Sequence, residues 1–263
     1  MSFGQWPSDF LGVPLEERFN FNPLTYFLYS GIDGAWFDPE DMSTMYQDAA
    51  GTIPVTAVGQ PVGKVLDISG NGNHATQSIT AYRPALMQDI YGHYYLEFDG
   101  IDNYMSLGDV FDVGINGVSM IAAVTVHGGD RYPIAGKSIS SVLPGRYFLG
   151  ANSASFAYAG QCLIEYCVAY TPVIGAPTVY SMTLSAGSSH RMSLRVNGAL
   201  IGDVPTSLPE ASNTSLDFMI GQYPNYGYLN GRNYGLIVTA KALSVGQAAI
   251  CERYLSRKSG VQL

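Results

Sequence analysis

The chain has 263 residues and a formal net charge of −8, and only 13% of its residues are charged, about half the ~25% usual in soluble domains. It carries no cluster of lysine and arginine, which excludes a phosphate-tracking surface and with it nucleic-acid binding. A chain of this length suits one large β domain or two ordinary ones, and it can bury a core without staples.

In chain order, residues 1–33 read as an N-terminal docking arm. Phe3, Trp6, Phe10, Phe19, Phe21, Tyr26, Phe27 and Tyr29 crowd a segment broken by Pro7, Pro14 and Pro23. It is too short for a core of its own and too apolar for a solvated tail, so it is expected to dock, on its own domain or on a partner. Asn22–Pro23 is a start signal for one short helix. The opening residues lack a basic region followed by an apolar run, so no export signal is expected, and cysteines expected as free thiols point to folding in a reducing cytoplasm.

From Gly34 to the C-terminus, residues 34–263 read as one β domain. Short apolar or alternating runs are separated by Gly, Asn, Asp and Pro turns. The expected strands are Tyr94–Phe98, Tyr104–Leu107, Val118–Val126, Tyr132–Lys137, Tyr147–Leu149, Leu163–Tyr170, Thr178–Leu184, Met192–Val196, Leu216–Ile220 and Tyr234–Val238. Repeated short strands with such turns make a sandwich or barrel. Val118–Val126 belongs to the longest apolar stretch and is far too short to cross a bilayer, so no membrane insertion is expected. Asn197–Gly198 is the strongest hairpin signal.

One amphipathic helix closes the chain. Ser244 and Gln247 form a capping box, Ile250, Cys251, Tyr254 and Leu255 make an apolar stripe, and Gly260 lies just past the end. Cys162, Cys167 and Cys251 match neither a disulfide framework nor a zinc pattern, and are expected as buried free thiols.

Several segments, taken in order, resemble the laminin G-like, concanavalin A-like domains of bacteriophage structural proteins. They are Gly34-Ala-Trp-Phe-Asp-Pro-Glu-Asp-Met-Ser-Thr-Met-Tyr-Gln-Asp48, Val65-Leu-Asp-Ile-Ser-Gly-Asn-Gly-Asn-His-Ala-Thr76 and Leu96-Glu-Phe-Asp-Gly-Ile-Asp-Asn-Tyr104, then Leu194-Arg-Val-Asn-Gly198, Ile220–Gly221, Gly231-Arg-Asn-Tyr-Gly-Leu-Ile237 and Ala242-Leu-Ser244. The resemblance implies an all-β, concanavalin A-like jelly-roll sandwich with one C-terminal amphipathic helix and an extended N-terminal arm. It also implies a non-catalytic virion component, a tail or head appendage assembled in the host cytoplasm. The arm would anchor it on other virion proteins, as a homo-oligomer.

The chemical motifs are weak. Gly70-Asn-Gly-Asn-His-Ala75 satisfies a dinucleotide fingerprint in form, but the stretch Thr76–Pro84 after it lacks helical periodicity. Ala135-Gly-Lys-Ser138 resembles the end of a phosphate loop but lacks its first glycine. Glu97, Asp99 and Asp102 resemble the Glu-x-Asp-x-x-Glu of concanavalin A-like glycosidases, with the last position shortened and Gly100 breaking the strand. They define the alternative reading, a secreted or virion-borne glycan hydrolase. No cofactor is expected. Calcium is the one candidate that the resemblance admits, on Asp67, Asn71, Asp99 and Asp102. The loop Gly221–Gly231 carries Tyr223, Asn225, Tyr226 and Tyr228, flat apolar rings beside amides, and is the candidate glycan site.

Overall fold

The computed structural model describes residues 31–114, 116–128, 133–137, 146–152, 155–161, 164–185, 190–206, 215–224 and 227–263. The expected arm, its helix start at Asn22–Pro23 and Cys162 lie outside these residues.

Ten strands come first: β1 (Gly34–Phe37), β2 (Met45–Tyr46), β3 (Lys64–Val65), β4 (Ala75–Thr76), β5 (Ala85–Gln88), β6 (Tyr94–Asp99), β7 (Met105–Ser106), β8 (Val118–Val126), β9 (Ala135–Lys137) and β10 (Arg146–Asn152). Then come β11 (Ser155–Gln161), β12 (Ile164–Val168), β13 (Thr178–Leu184), β14 (Arg191–Val196), β15 (Ala199–Pro205), β16 (Phe218–Ile220), β17 (Gln222–Tyr223), β18 (Gly227–Tyr228), β19 (Asn230–Thr239) and the helix α1 (Val245–Ser259). The front sheet runs β15-β14-β13-β8-β19-β6-β5, with β1 also paired to β19, and the back sheet runs β12-β11-β10-β9-β16-β7-β4-β3-β2. Every pairing within the two sheets is antiparallel. The protein is thus the all-β sandwich with one C-terminal helix that the sequence led us to expect.

Alternation decides which side chains fill the space between the sheets. Met120, Ala122 and Val124 of β8 join Tyr180, Leu194, Leu236 and Phe98 of the front sheet against Tyr147, Leu149, Phe218 and Met105 of the back sheet. The other face of β8 is also covered. Ile121 and Ala123 pack with Trp36, Val179, Ile237, Ala248, Cys251 and Leu255 beneath α1. A strand buried on both faces reads as a continuous apolar run, which is why Val118–Val126 was legible to the residue.

Local turn chemistry is equally direct. Asn197 and Gly198 take φ of 46° and 79°, the positive values a two-residue hairpin turn needs. Ser244 and Gln247 form the capping box, and Gly260 ends the helix at φ 72°.

Two expectations need correction. The stripe Ile250, Cys251, Tyr254 and Leu255 is rotated: α1 buries Ala248, Cys251, Glu252, Leu255, Ser256 and Ser259, leaving Ile250 and Tyr254 at its margin. The cause is Glu252, which turns inward because Arg195 of β14 donates to it from Nε at 2.8 Å. Cys167 is exposed, because it lies on β12 at the edge of the back sheet. Cys251 is buried as expected, and burial pushes its thiol up to about 12.

Candidate functional site

The Gly221–Gly231 loop is built as a small hairpin. β17 and β18 pair Gln222 with Tyr228 and Tyr223 with Gly227. Gly221 begins it at φ 80°, and a Cβ there would lie 2.4 Å from the Phe98 ring, so the chain passes directly over the core. Asn225 and Tyr226 lie outside the described residues. The remaining two candidate tyrosines go separate ways. Tyr223 meets Phe148 edge-on with ring centroids 4.9 Å apart. Tyr228 joins a surface ladder: its ring is 6.4 Å from Tyr104, and Tyr104 is 6.1 Å from Tyr82. All three rings are half-buried, and Gln222 Nε2 donates to the Tyr228 hydroxyl at 3.1 Å. Flat rings beside an amide offer the stacking faces and hydrogen bonds that sugars use. Sequence reasoning missed Tyr82 and Tyr104 because the ladder joins three loops distant along the chain.

The four oxygen-ligand candidates fall into two turns. Asp67 is buried and accepts from four donors: Trp36 N at 2.9 Å, Ser69 N at 2.8 Å, Ser69 Oγ at 2.9 Å and Asn73 N at 3.0 Å. Asn71 Nδ2 donates to the Ile32 and Gly34 carbonyls, each at 3.2 Å. This turn therefore fastens itself to β1. Asp99 Oδ1 accepts from the backbone of Ile101, Asp102 and Asn103 at 2.8–3.4 Å, and Asp102 Oδ1 accepts from Asn103 Nδ2 at 3.4 Å. Among the described residues, no group of three or more His, Cys, Asp or Glu side chains is placed to hold a metal ion. The two false nucleotide motifs are also structural. Gly70 and Gly72 shape the Asp67 turn at φ 93° and 82° and lead into β4. Lys137 of β9 is fully buried and pairs with Asp109 at 2.6 Å and Asp112 at 2.7 Å.

Glu97 and Asp99 share one face of β6, as alternation requires, while Phe98 enters the core. That face is the outer one of the front sheet. Across the strands Glu97 pairs in register with Arg232, and Asp99 with Asn230. Glu97 lies 3.6 Å from Arg232 Nε and 3.5 Å from His127 Nε2. Burial pushes its carboxyl above the ordinary value, with His127 and Arg232 opposing the shift. The Arg232 guanidinium also lies over the Tyr95 ring, 4.8 Å from its centroid. Arg232 and His127 carry no local motif. They meet Glu97 only because β6, β19 and the end of β8 are neighbours.

A bulge makes this row possible. The register of β19 against β8 shifts between Asn233 and Gly235, and Asn233 Oδ1 accepts from Gly235 N at 2.9 Å. Beyond the bulge the parity of β19 reverses, so Arg232, Tyr234 and Ile237 all reach the outer face. Bulges often re-aim side chains in this way beside functional sites.

No protein-family model matches the chain, and no curated protein sequence does. Solved structures match it in fold. Domain 4 of AbnA, an extracellular GH43 arabinanase of Geobacillus stearothermophilus in complex with arabinotriose, aligns with a TM-score of 0.54 at 14% identity, over 73% of this chain and 91% of that one. Trypanosoma rangeli sialidase aligns with a TM-score of 0.54 at 14% identity, over 89% of this chain and 34% of the sialidase. The binding domain of Paraclostridial Mosquitocidal Protein 1 gives 0.54 at 10% identity, over 72% and 49%. The chain thus spans about a third of the sialidase and half of the toxin domain. At such identities the likeness is one of fold: this is a β-sandwich of the architecture shared by those domains.

Proposed function

We propose that this chain is a non-catalytic, lectin-like β-sandwich that recognises glycan on a cell surface, carried as a tail or head appendage of a bacteriophage virion. The observation that carries the glycan reading is the Tyr82–Tyr104–Tyr228 ladder with Gln222 beside it. The solved neighbours add weight, since one was determined with arabinotriose bound and another is a binding domain. The phage assignment rests on the ordered laminin G-like segments of the sequence. In this reading residues 1–33 dock on other virion proteins, the sandwich faces outward in a homo-oligomer, and no cofactor takes part.

Hydrolysis is the competing reading, and one observation favours it: Glu97 has the raised carboxyl of a general acid. Against it stands the candidate partner. Asp99 spends one oxygen on three backbone N–H groups of its own turn, which is the work of a turn cap rather than a nucleophile.

Glycan-array binding by the full chain, repeated with Tyr104→Ala and Tyr228→Ala, tests the proposal. Each variant should lose about tenfold in affinity, ~1.4 kcal/mol, while still melting cooperatively as a folded sandwich. Release of new reducing ends from any arrayed glycan, abolished by Glu97→Gln, would replace binding with catalysis. Deleting residues 1–30 should leave a folded sandwich that no longer enters particles; normal incorporation would sink the virion-docking role of the arm.

A further inference from the structure

The helix α1 closes only part of the front sheet's outer face. Beyond the bulge of β19 a cleft of about 780 Å³ stays open, within the size range of small-ligand sites. Its floor is Tyr95, Arg232 and Tyr234, and one wall is the β5–β6 hairpin with Asp89, Tyr91 and His93. Glu97 and His127 stand next to Arg232 on the same face.

Three features mark this place as unfinished. Arg232 Nε is buried and makes no hydrogen bond, and the Glu97 carboxylate stands 3.6 Å from it. Glu97 stops 3.5 Å from His127 and 3.6 Å from Arg232, beyond the 2.7–3.2 Å of a good hydrogen bond. Tyr91, at the hairpin tip, is 80% exposed beside Ile90 at 92%, so two large side chains face water at the rim of the cleft.

The charges select the ligand class. Among the described residues Arg232 is the one arginine or lysine of the lining, beside His93 and facing Asp89 and the neighbouring Glu97, which His127 also approaches. With both imidazoles neutral, an anionic group would meet two carboxylates for one guanidinium, and a cationic group would meet Arg232. A hydroxyl escapes both penalties, since it donates to a carboxylate and accepts from a guanidinium at once. We propose that this cleft binds a neutral saccharide, whose adjacent hydroxyls bridge Arg232 and Glu97 while Tyr91 covers a sugar face. The inference rests on the glycan-recognition reading and adds a subsite separate from the tyrosine ladder.

The test is calorimetric titration of the full chain with arabinotriose, cellotriose, maltotriose and chitotriose, and with sialyllactose as the acidic probe. At least one neutral trisaccharide should bind, and Glu97→Gln and Arg232→Lys should each weaken it about tenfold. Tyr91→Ala, on a solvent-exposed tip that cannot disturb the core, should weaken it about threefold (~0.7 kcal/mol). Full binding by all three variants, with loss only in Tyr104→Ala, overturns the cleft and leaves the glycan reading standing. Binding of sialyllactose alone overturns the neutral class. Failure of every probe here and of the array overturns both readings together.

Discussion

The two halves of the front sheet's outer face hold their charges in opposite ways. Under α1, Arg195 reaches Glu252 at 2.8 Å and the Gly198 carbonyl at 2.5 Å. At the far end of the helix Lys258 meets the buried Asp38 at 2.9 Å, and Tyr254 donates to Asp38. Across the bulge Glu97, Arg232 and His127 approach without closing, each with 29–33% of its side chain exposed. Arg195 on β14 stands in the same sheet as Glu97 on β6 and Arg232 on β19. What differs is the cover. Where a helix excludes water, a charge must find a short partner or it costs several kcal/mol. Where water remains, a charge can stay partly solvated and available.

Breaking a covered pair should therefore have the largest effect. Glu252 keeps 2% of its side chain exposed and Arg195 15%. Glu252→Gln preserves shape and strands the guanidinium, at a cost of ~3 kcal/mol, the lower end for a buried pair because Arg195 keeps some water and the Gly198 carbonyl. Urea unfolding measures it directly. A loss below about 1 kcal/mol would place the pair with exposed ones and dissolve the contrast. Replacing both partners by leucine should recover most of the loss, because no charge is then left unpaired.

A smaller change tests the cover itself. Ser244 Oγ accepts from Gln247 N at 3.3 Å, and Gln247 Oε1 accepts from Ser244 N at 2.9 Å. Ser244→Ala should cost ~1 kcal/mol through the lost cap. Thermal melting reads that loss, and saccharide affinity should not move, since the cap lies on the covered half. A drop in affinity would mean that the two halves are coupled through α1.

These halves were unequally legible in the sequence. The covered half announces itself locally: Ser244, Gln247 and Gly260 lie on one helix, and the β8 run is contiguous. Asn197 and Gly198 likewise state their turn in two residues. Glu252 misled the stripe because its neutralising partner, Arg195, sits 57 positions away. The open half is assembled wholly across strands. Glu97, His127 and Arg232 share no spacing rule, and the Asn230-Gly-Arg-Asn stretch that carries Arg232 has no apolar pattern, so β19 was foreseen only from Tyr234. The bulge was hidden too, because a parity reversal shows only against a partner strand. Of the glycan loop, Tyr228 met rings that no local pattern connects to it, while Tyr223 was claimed by Phe148.

The smallest expected effect on stability lies at Glu97, and it has a sign. Burial is the largest influence on its carboxyl and raises the pKa above the ordinary 4.5. A carboxyl raised on folding holds its proton more tightly in the folded chain, so its contribution to stability is full below about pH 4.5 and is lost as pH rises through the folded value. At neutral pH the folded protein therefore carries Glu97 as an anion at some cost. Glu97→Gln should then be neutral or slightly stabilising at pH 7, within about 0.5 kcal/mol, and its advantage should shrink toward pH 4. Urea midpoints at the two pH values would show it. A destabilisation comparable to that of Glu252→Gln would make the Glu97 row part of the scaffold. Unchanged stability with weakened saccharide binding is what separates a side chain kept for a ligand from one kept for the fold.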